Sequence, residues 1–278
     1  MIKPTTVLGQ PAMHLRAPDG AQATVLLHGA HIVSWIPAGD QERLYLSPDA
    51  LAGPGQSVRG GVPVIFPQFN AQGRLPRHGF ARDRAWTWVE GAIRSDAAIG
   101  VLRLTDDAAT RAIWPHGFET ELTLSLSGLG LDIELAVTNT GATALAFQAA
   151  LHSYFLLDDL RRARLHGLFG SRYHDALTGV EQHQEMDPQG FVGAIDRIYF
   201  DVTQPLSLAT AMGRMALQTE GFPDRVVWNP GPTQTAALAD MPVDDWLRML
   251  CVEAGVIGTP ITLAPGQEWA ARLSLVVA

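Results

Sequence analysis

The chain has 278 residues, of which 47% are apolar and 17% charged, and its formal net charge is −8. That apolar share suffices for a large packed core and argues against a disordered chain or a coiled coil; the single cysteine, Cys251, excludes an internal disulfide. The acidic balance argues against a nucleic-acid partner, because phosphate backbones are held by clustered cations, yet a few arginines in a cleft can hold a small anion against the global sign.

No stretch approaches the roughly 18 apolar residues of a membrane span. Met1–Leu15 lacks the charged start and apolar run of a secretory signal. A cytoplasmic protein with no membrane partner is expected, and a monomer is the simplest expectation for its assembly. Lys3 is the only lysine among 20 basic residues. This reads as compositional bias, so an arginine counts as evidence only through its position.

Strand signals run from end to end. Ala23–His28 and His31–Ile36 flank Gly29-Ala30, the pattern of a tight hairpin. The stretch from Ser47 to about Arg84 is rich in Gly, Pro and polar residues and reads as a long loop. Leu122, Leu124 and Leu126 alternate with polar residues, and Leu131, Ile133, Leu135 and Val137 alternate with Asp132, Glu134, Ala136 and Thr138. Such alternation marks half-buried antiparallel strands. Asn139-Thr140-Gly141 turns the chain into another strand over about Ala144–Leu157, and a second long loop spans roughly Gly167 to Phe200. Ile261–Leu263 and Trp269–Val277 flank a turn at Ala264–Gln267, and helical periodicity is limited to one short turn over Val243–Leu247. No linker, repeat or composition step divides the chain. The expectation is one all-β domain over residues 1–278, a large antiparallel β-sandwich with few or no long helices. Long loops without structure of their own are uncommon unless they serve a function.

Within Ala144–Leu157, Leu145, Phe147, Ala149, Leu151 and Phe155 share one bulky apolar face, while Ala146, Gln148, Ala150, His152 and Tyr154 share the other. Small residues between hydrogen-bonding ones suit the floor of a polar cleft. A histidine there can hold or release a proton near neutral pH, although a core histidine bonded to a carbonyl fits the same pattern. Leu247–Val252 is nearly all apolar and ends in Glu253. A carboxyl at the end of a buried strand loses hydration, so its pKa rises towards the range of a general base; a solvated strand-end glutamate is the plainer alternative. Arg59 precedes Gly60-Gly61, where glycine lets backbone approach a ligand. Arg74, Arg77, Arg82 and Arg84 fall within eleven residues, a cluster able to grip a phosphate or simply a solvated loop. His28-x-x-His31, or His78 with His152 and Glu253, could ligate a metal in principle, but neither has a compact ligand motif. No nucleotide-binding glycine fingerprint and no G-x-S-x-G is present.

Together these segments resemble the hexose-6-phosphate mutarotase branch of the aldose 1-epimerase superfamily. The stretches that carry the resemblance are Ser57–Pro67 (SVRGGVPVIFP), Leu75–Arg82 (LPRHGFAR), His152–Phe155 (HSYF), Ile195–Tyr199 (IDRIY), Val226–Pro230 (VVWNP) and Cys251–Glu253 (CVE). Their order and spacing agree across almost the whole chain. The resemblance implies a galactose-mutarotase-like supersandwich with the site on a concave face and no cofactor or metal. It implies His152 as general acid, Glu253 as general base, His78 as a sugar-orienting histidine and Asp196 as a holder of ring hydroxyls. It implies Arg59 and Arg82 as contacts for sugar and phosphate. Arg77 stands where the family often has glutamine, which puts the contact made there in question and favours a more anionic or differently placed ligand. The expected activity is interconversion of the α and β anomers of a hexose 6-phosphate, a small-molecule substrate. An epimerase for free aldoses, or a carbohydrate-binding protein without turnover, is the alternative.

Overall fold

The computed structural model describes residues 1–53 and 55–278. Its described strands form three antiparallel sheets of four, eight and nine strands. The four-stranded sheet takes Ile2–Val7, Gln10–Arg16, Gln22–Leu26 and Ile32–Ile36 in sequence order. The last two pair as the expected hairpin, with Gly29 and Ala30 both at positive φ. The nine-stranded sheet is built around Phe118–Ser127, Gly130–Asn139 and Glu268–Val277, whose alternating residues turn one apolar face inward.

The eight-stranded sheet carries the site. At its centre Met249–Leu263 lies between Asp224–Asn229 on one side and Leu145–Leu151 with Tyr154–Leu156 on the other. Strand alternation gives this sheet two different faces. Val227, Val252, Ala254, Val256, Phe147 and Leu151 join Leu122, Leu124, Ile133 and Leu135 of the nine-stranded sheet in one apolar cluster. Burying each large aliphatic or aromatic side chain there is worth about 1.5–3 kcal/mol. The opposite face turns Val226, Trp228, Glu253, His152 and Asp196 towards a cleft. The antiparallel β-sandwich expected from sequence is therefore present.

Two local readings need correction, and a third holds. Gly167–Phe200 is not one long loop but carries four strands: Arg172–Asp175, Val180–His183, Gln189–Gly190 and Ile195–Tyr199 all pair. The edge strand Val180–His183 is exposed at every position, so it shows no apolar period. The Ser47–Arg84 stretch does hold only a short strand, Val64–Ile65, and a helical turn, Ala81–Asp83; Pro54 within it lies outside the described residues. Two short helices, Ala108–Ile113 and Gly231–Thr235, escape a periodicity search because neither exceeds two turns. The first is nucleated by a capping box, with Asp107 Oδ1 accepting from Thr110 N at 2.7 Å and Thr110 Oγ1 accepting from Asp107 N at 2.8 Å. Among the described residues no helix is long and apolar enough to cross a membrane.

Candidate active site

The cleft has a volume of about 580 Å³, and all seven residues singled out from sequence line it: His152, Glu253, Arg59, His78, Arg82, Asp196 and Arg77. Arg74 and Arg84 of the basic cluster do not. Glu253 is not at a strand end, as expected, but well inside the continuous strand Met249–Leu263. Its Cα partner is Val226, which in turn partners Ile198. A single register line thus carries it across the sheet, and it is only 2% exposed.

His152 sits where its own strand breaks. Leu151 partners Ala254 and Tyr154 partners Cys251, so His152 occupies the position across from Glu253. At the break its N–H donates to Pro63 O at 3.1 Å, and Tyr154 N–H donates to Gly61 O at 2.8 Å. These bonds bring the Arg59–Pro63 segment alongside the histidine. The result is a direct contact, His152 Nε2 to Glu253 Oε1, at 3.2 Å. Glu253 Oε2 and His152 Nδ1 have no hydrogen-bond partner among the described residues. Burial dominates both groups: it pushes the Glu253 carboxyl well above its usual value, with Asp196 adding repulsion. It pushes the His152 imidazole well down, with His78 and Arg82 adding to the effect.

His78 reaches the cleft through a strained turn. It has φ +68°, and the next residue, Gly79, has φ +71°. A Cβ on Gly79 would overlap Phe66 O, so no other residue fits there. The turn is tied by His78 N–H to Asn70 O at 2.9 Å and by Asn70 N–H to His78 Nδ1 at 3.3 Å. Because Nδ1 accepts, the proton of the neutral ring lies on Nε2. Burial, then Arg82 and Arg77, lower the ring pKa to about 3, so His78 is a neutral donor near neutral pH.

Asp196 pairs in register with Trp228. Its side chain makes no hydrogen bond among the described residues, and burial raises its pKa against the opposing pull of Arg77. The guanidiniums differ from one another. Arg59 is ion-paired to Asp240 at 3.2 Å, whereas Arg77 and Arg82 have no acidic partner within salt-bridge distance among the described residues. Arg82 Nη2 donates to Arg77 O at 3.1 Å, and its Nε is buried without a partner among the described residues. Gly60 and Gly61 do not open the backbone to a ligand, as the sequence suggested. Added Cβ atoms would overlap Tyr45 O and Ile32 O, so these glycines let the Arg59 segment pack on its neighbours. His31 is likewise structural, with Nε2 bonded to Gly60 O at 2.7 Å. Among the described residues no group of three or more His, Cys, Asp or Glu is arranged to hold a metal.

Sequence reasoning put Tyr154 on the cleft face of its strand without giving it a role, and it missed Trp228 and Asp240 as parts of the cleft. Tyr154 shares strand parity with His152, a usable signal; Asp240 lies in a loop with none. The arrangement offers paired proton-transfer groups, a neutral donor, a free carboxylate and two unpaired cations in one cleft. That set suits acid–base chemistry on a polyhydroxylated anion.

Comparison with known proteins agrees. The sequence pattern of the family described as Aldose 1-epimerase matches residues 11–276. A protein of Cenchrus ciliaris named "Putative glucose-6-phosphate 1-epimerase" is 33% identical over 284 residues, covering 97% of this chain and 85% of that protein. A protein of Escherichia coli (strain K12) with the same name is 35% identical over 238 residues, covering 84% of this chain and 79% of its own. The crystal structure of a "putative mutarotase" from Salmonella typhimurium superposes with a TM-score of 0.89 at 28% identity, over 100% of this chain and 94% of that one. The chain belongs to the aldose 1-epimerase family and is an isomerase of the mutarotase group.

Proposed function

We propose that the protein interconverts the α and β anomers of a hexose 6-phosphate, glucose 6-phosphate foremost, with His152 as acid and Glu253 as base. The observation that carries the reading is the 3.2 Å contact between these two groups in a cleft that also holds Arg77 and Arg82, which have no acidic partner among the described residues. The anomeric hydroxyl oxygen and the ring oxygen of a pyranose are bonded to the same carbon. An acid and a base that serve both oxygens must therefore stand side by side. They need not face each other from opposite sides of the sugar.

Glu253 takes the proton from the C1 hydroxyl while His152 Nε2 gives one to the ring oxygen, and the C1–O5 bond breaks. The open-chain aldehyde turns about C1–C2 and presents its other face. His152 then takes back the proton of the C5 hydroxyl as that oxygen attacks C1, and Glu253 returns its proton to the carbonyl oxygen. Protons balance over the cycle, and no water or cofactor enters. Each positioned acid or base contributes about 10²–10⁴-fold. During ring opening the pair passes from charged to neutral, the direction that burial favours for both groups. Asp196 and the Nε2–H of His78 take sugar hydroxyls, and Arg77 and Arg82 meet the phosphate with charge-assisted hydrogen bonds. The names of the relatives from Cenchrus ciliaris and Escherichia coli support the phosphorylated substrate.

The test is NMR exchange spectroscopy between anomers, run on glucose, galactose and their 6-phosphates with and without the protein. Acceleration confined to the 6-phosphates is expected. Equal or faster exchange of the free sugars would instead make the protein an epimerase of unphosphorylated aldoses.

A further inference from the structure

A tyrosine hydroxyl both donates and accepts, and that of Tyr154 uses only half of this capacity inside the protein. Its oxygen accepts from Arg59 Nη1 at 3.3 Å, while its O–H donates to no acceptor among the described residues. The residue is 4% exposed and yet lines the cleft. A buried hydroxyl with an unspent donor on a cleft wall is a group that a ligand oxygen satisfies. Packing holds it rigidly in place. Tyr154 N–H donates to Gly61 O at 2.8 Å, and Tyr45 N–H donates to Tyr154 O at 2.9 Å. The ring lies flat on His152, with centroids 4.8 Å apart and planes 13° from parallel, and Trp228 meets it edge-on at 6.1 Å. A donor fixed in this way loses little freedom when a ligand binds. Burial also raises its pKa above the ordinary value, so the proton stays on at working pH.

The groups around the hydroxyl are cationic. Asp240 holds Arg59 along one edge, accepting from Nε at 3.2 and 3.3 Å and pairing with Nη2 at 3.2 Å. A guanidinium has five N–H bonds. In Arg59 one at Nε, one at Nη2 and one at Nη1 are engaged by Asp240 and Tyr154, which leaves one on each Nη for a ligand. Arg82 stands within electrostatic reach of both Tyr154 and Arg59. The bond from Arg59 also polarises the phenol, because a hydroxyl that accepts becomes a stronger donor. An anion at this end of the cleft therefore meets two guanidiniums and, beside them, an uncharged O–H. Such a donor grips an anion without adding to the repulsion among the arginines.

We propose that Tyr154 is a further substrate contact, its O–H donating to a phosphate oxygen of the hexose 6-phosphate alongside Arg59 and Arg82. The proposal deepens the functional reading above and rests on it for the identity of the substrate. One aromatic residue thus serves both halves of the site: its ring packs on the acid His152, and its hydroxyl reaches the anion.

Tyr154→Phe keeps the ring on His152 and removes only the hydroxyl, with far-ultraviolet circular dichroism confirming that the variant is folded. KM for glucose 6-phosphate should rise about 10-fold or more, the worth of a hydrogen bond to a charged group. The fall in kcat should stay within about threefold, as for a contact made equally in ground and transition states. Inorganic phosphate, titrated by calorimetry, should lose affinity by a similar factor. The opposite split, a lower kcat with KM and phosphate affinity unchanged, would make the hydroxyl a support for His152 alone and overturn the proposal. Because Arg59 donates to Tyr154, the two contacts should be coupled. Arg59→Ala combined with Tyr154→Phe should weaken phosphate binding by less than the product of the single losses; losses that simply multiply would sink the shared contact. Failure of the functional reading looks different. A wild-type protein that neither exchanges nor binds hexose 6-phosphates defeats that reading, whereas one that does both, with KM unchanged in Tyr154→Phe, defeats the tyrosine contact alone.

Discussion

The His152 imidazole and the Glu253 carboxyl touch at 3.2 Å with their remaining polar atoms, Nδ1 and Oε2, unpartnered among the described residues. The contact exists because a strand interruption at His152 leaves the register with Met249–Leu263 unbroken on either side. Neighbouring strands stand close enough for side chains at facing positions to meet, so the pairing of strands sets the distance between acid and base.

Replacing the base isolates its two effects. Glu253→Gln should lower anomer exchange of glucose 6-phosphate by about 10²–10⁴-fold while binding, followed by titration calorimetry, persists. A variant that exchanges at the wild-type rate removes Glu253 from the mechanism.

The same substitution alters stability with pH. Burial raises the Glu253 pKa above its ordinary value of 4.5, so the folded chain keeps a proton that the unfolded chain releases, and stability is lost as pH rises from that value through the raised one. Burial lowers the His152 pKa below 6.5, so stability is lost as pH falls from 6.5 towards the lowered value. Between those two ordinary values the slopes oppose each other. Glu253→Gln removes the alkaline loss, and thermal unfolding should show the variant gaining stability relative to wild type as pH rises, with the gap closing towards acid. A gap independent of pH contradicts this assignment.

His78 should be silent to pH across the working range. With its pKa lowered to about 3 by burial and by Arg82 and Arg77, its ring stays neutral from mildly acidic to alkaline conditions. An NMR titration should show no His78 transition near 6.5, and one found there refutes its role as a neutral donor.

Arg82→Ala and Arg77→Ala should raise KM for glucose 6-phosphate by roughly 10–100-fold each, the worth of a hydrogen bond to a charged group. High salt should narrow the difference for Arg77, which is exposed. Effects on kcat alone would take these arginines away from the phosphate.

Gly79→Ala tests the turn that delivers His78. A methyl group at φ +71° that overlaps Phe66 O costs about 1–3 kcal/mol or more, to be read from chemical denaturation. Exchange activity should fall with it, because His78 is the preceding residue. A variant of unchanged stability and activity means the turn relaxes freely.

The alternation of Leu122–Leu126 and Leu131–Val137, the hairpin at Gly29-Ala30 and the two faces around His152 were legible in the sequence because a strand has a period of two and local turns carry their own residue signals. The seven cleft residues were legible from resemblance in ordered motifs. Tertiary structure alone decided three things. It placed Glu253 inside a strand, it set His152 beside that carboxyl, and it paired Arg59 with Asp240, far away along the chain. Each depends on which strands and loops become neighbours, and on which charges are left without water. Local sequence does not encode that, because residues distant along the chain supply the partners.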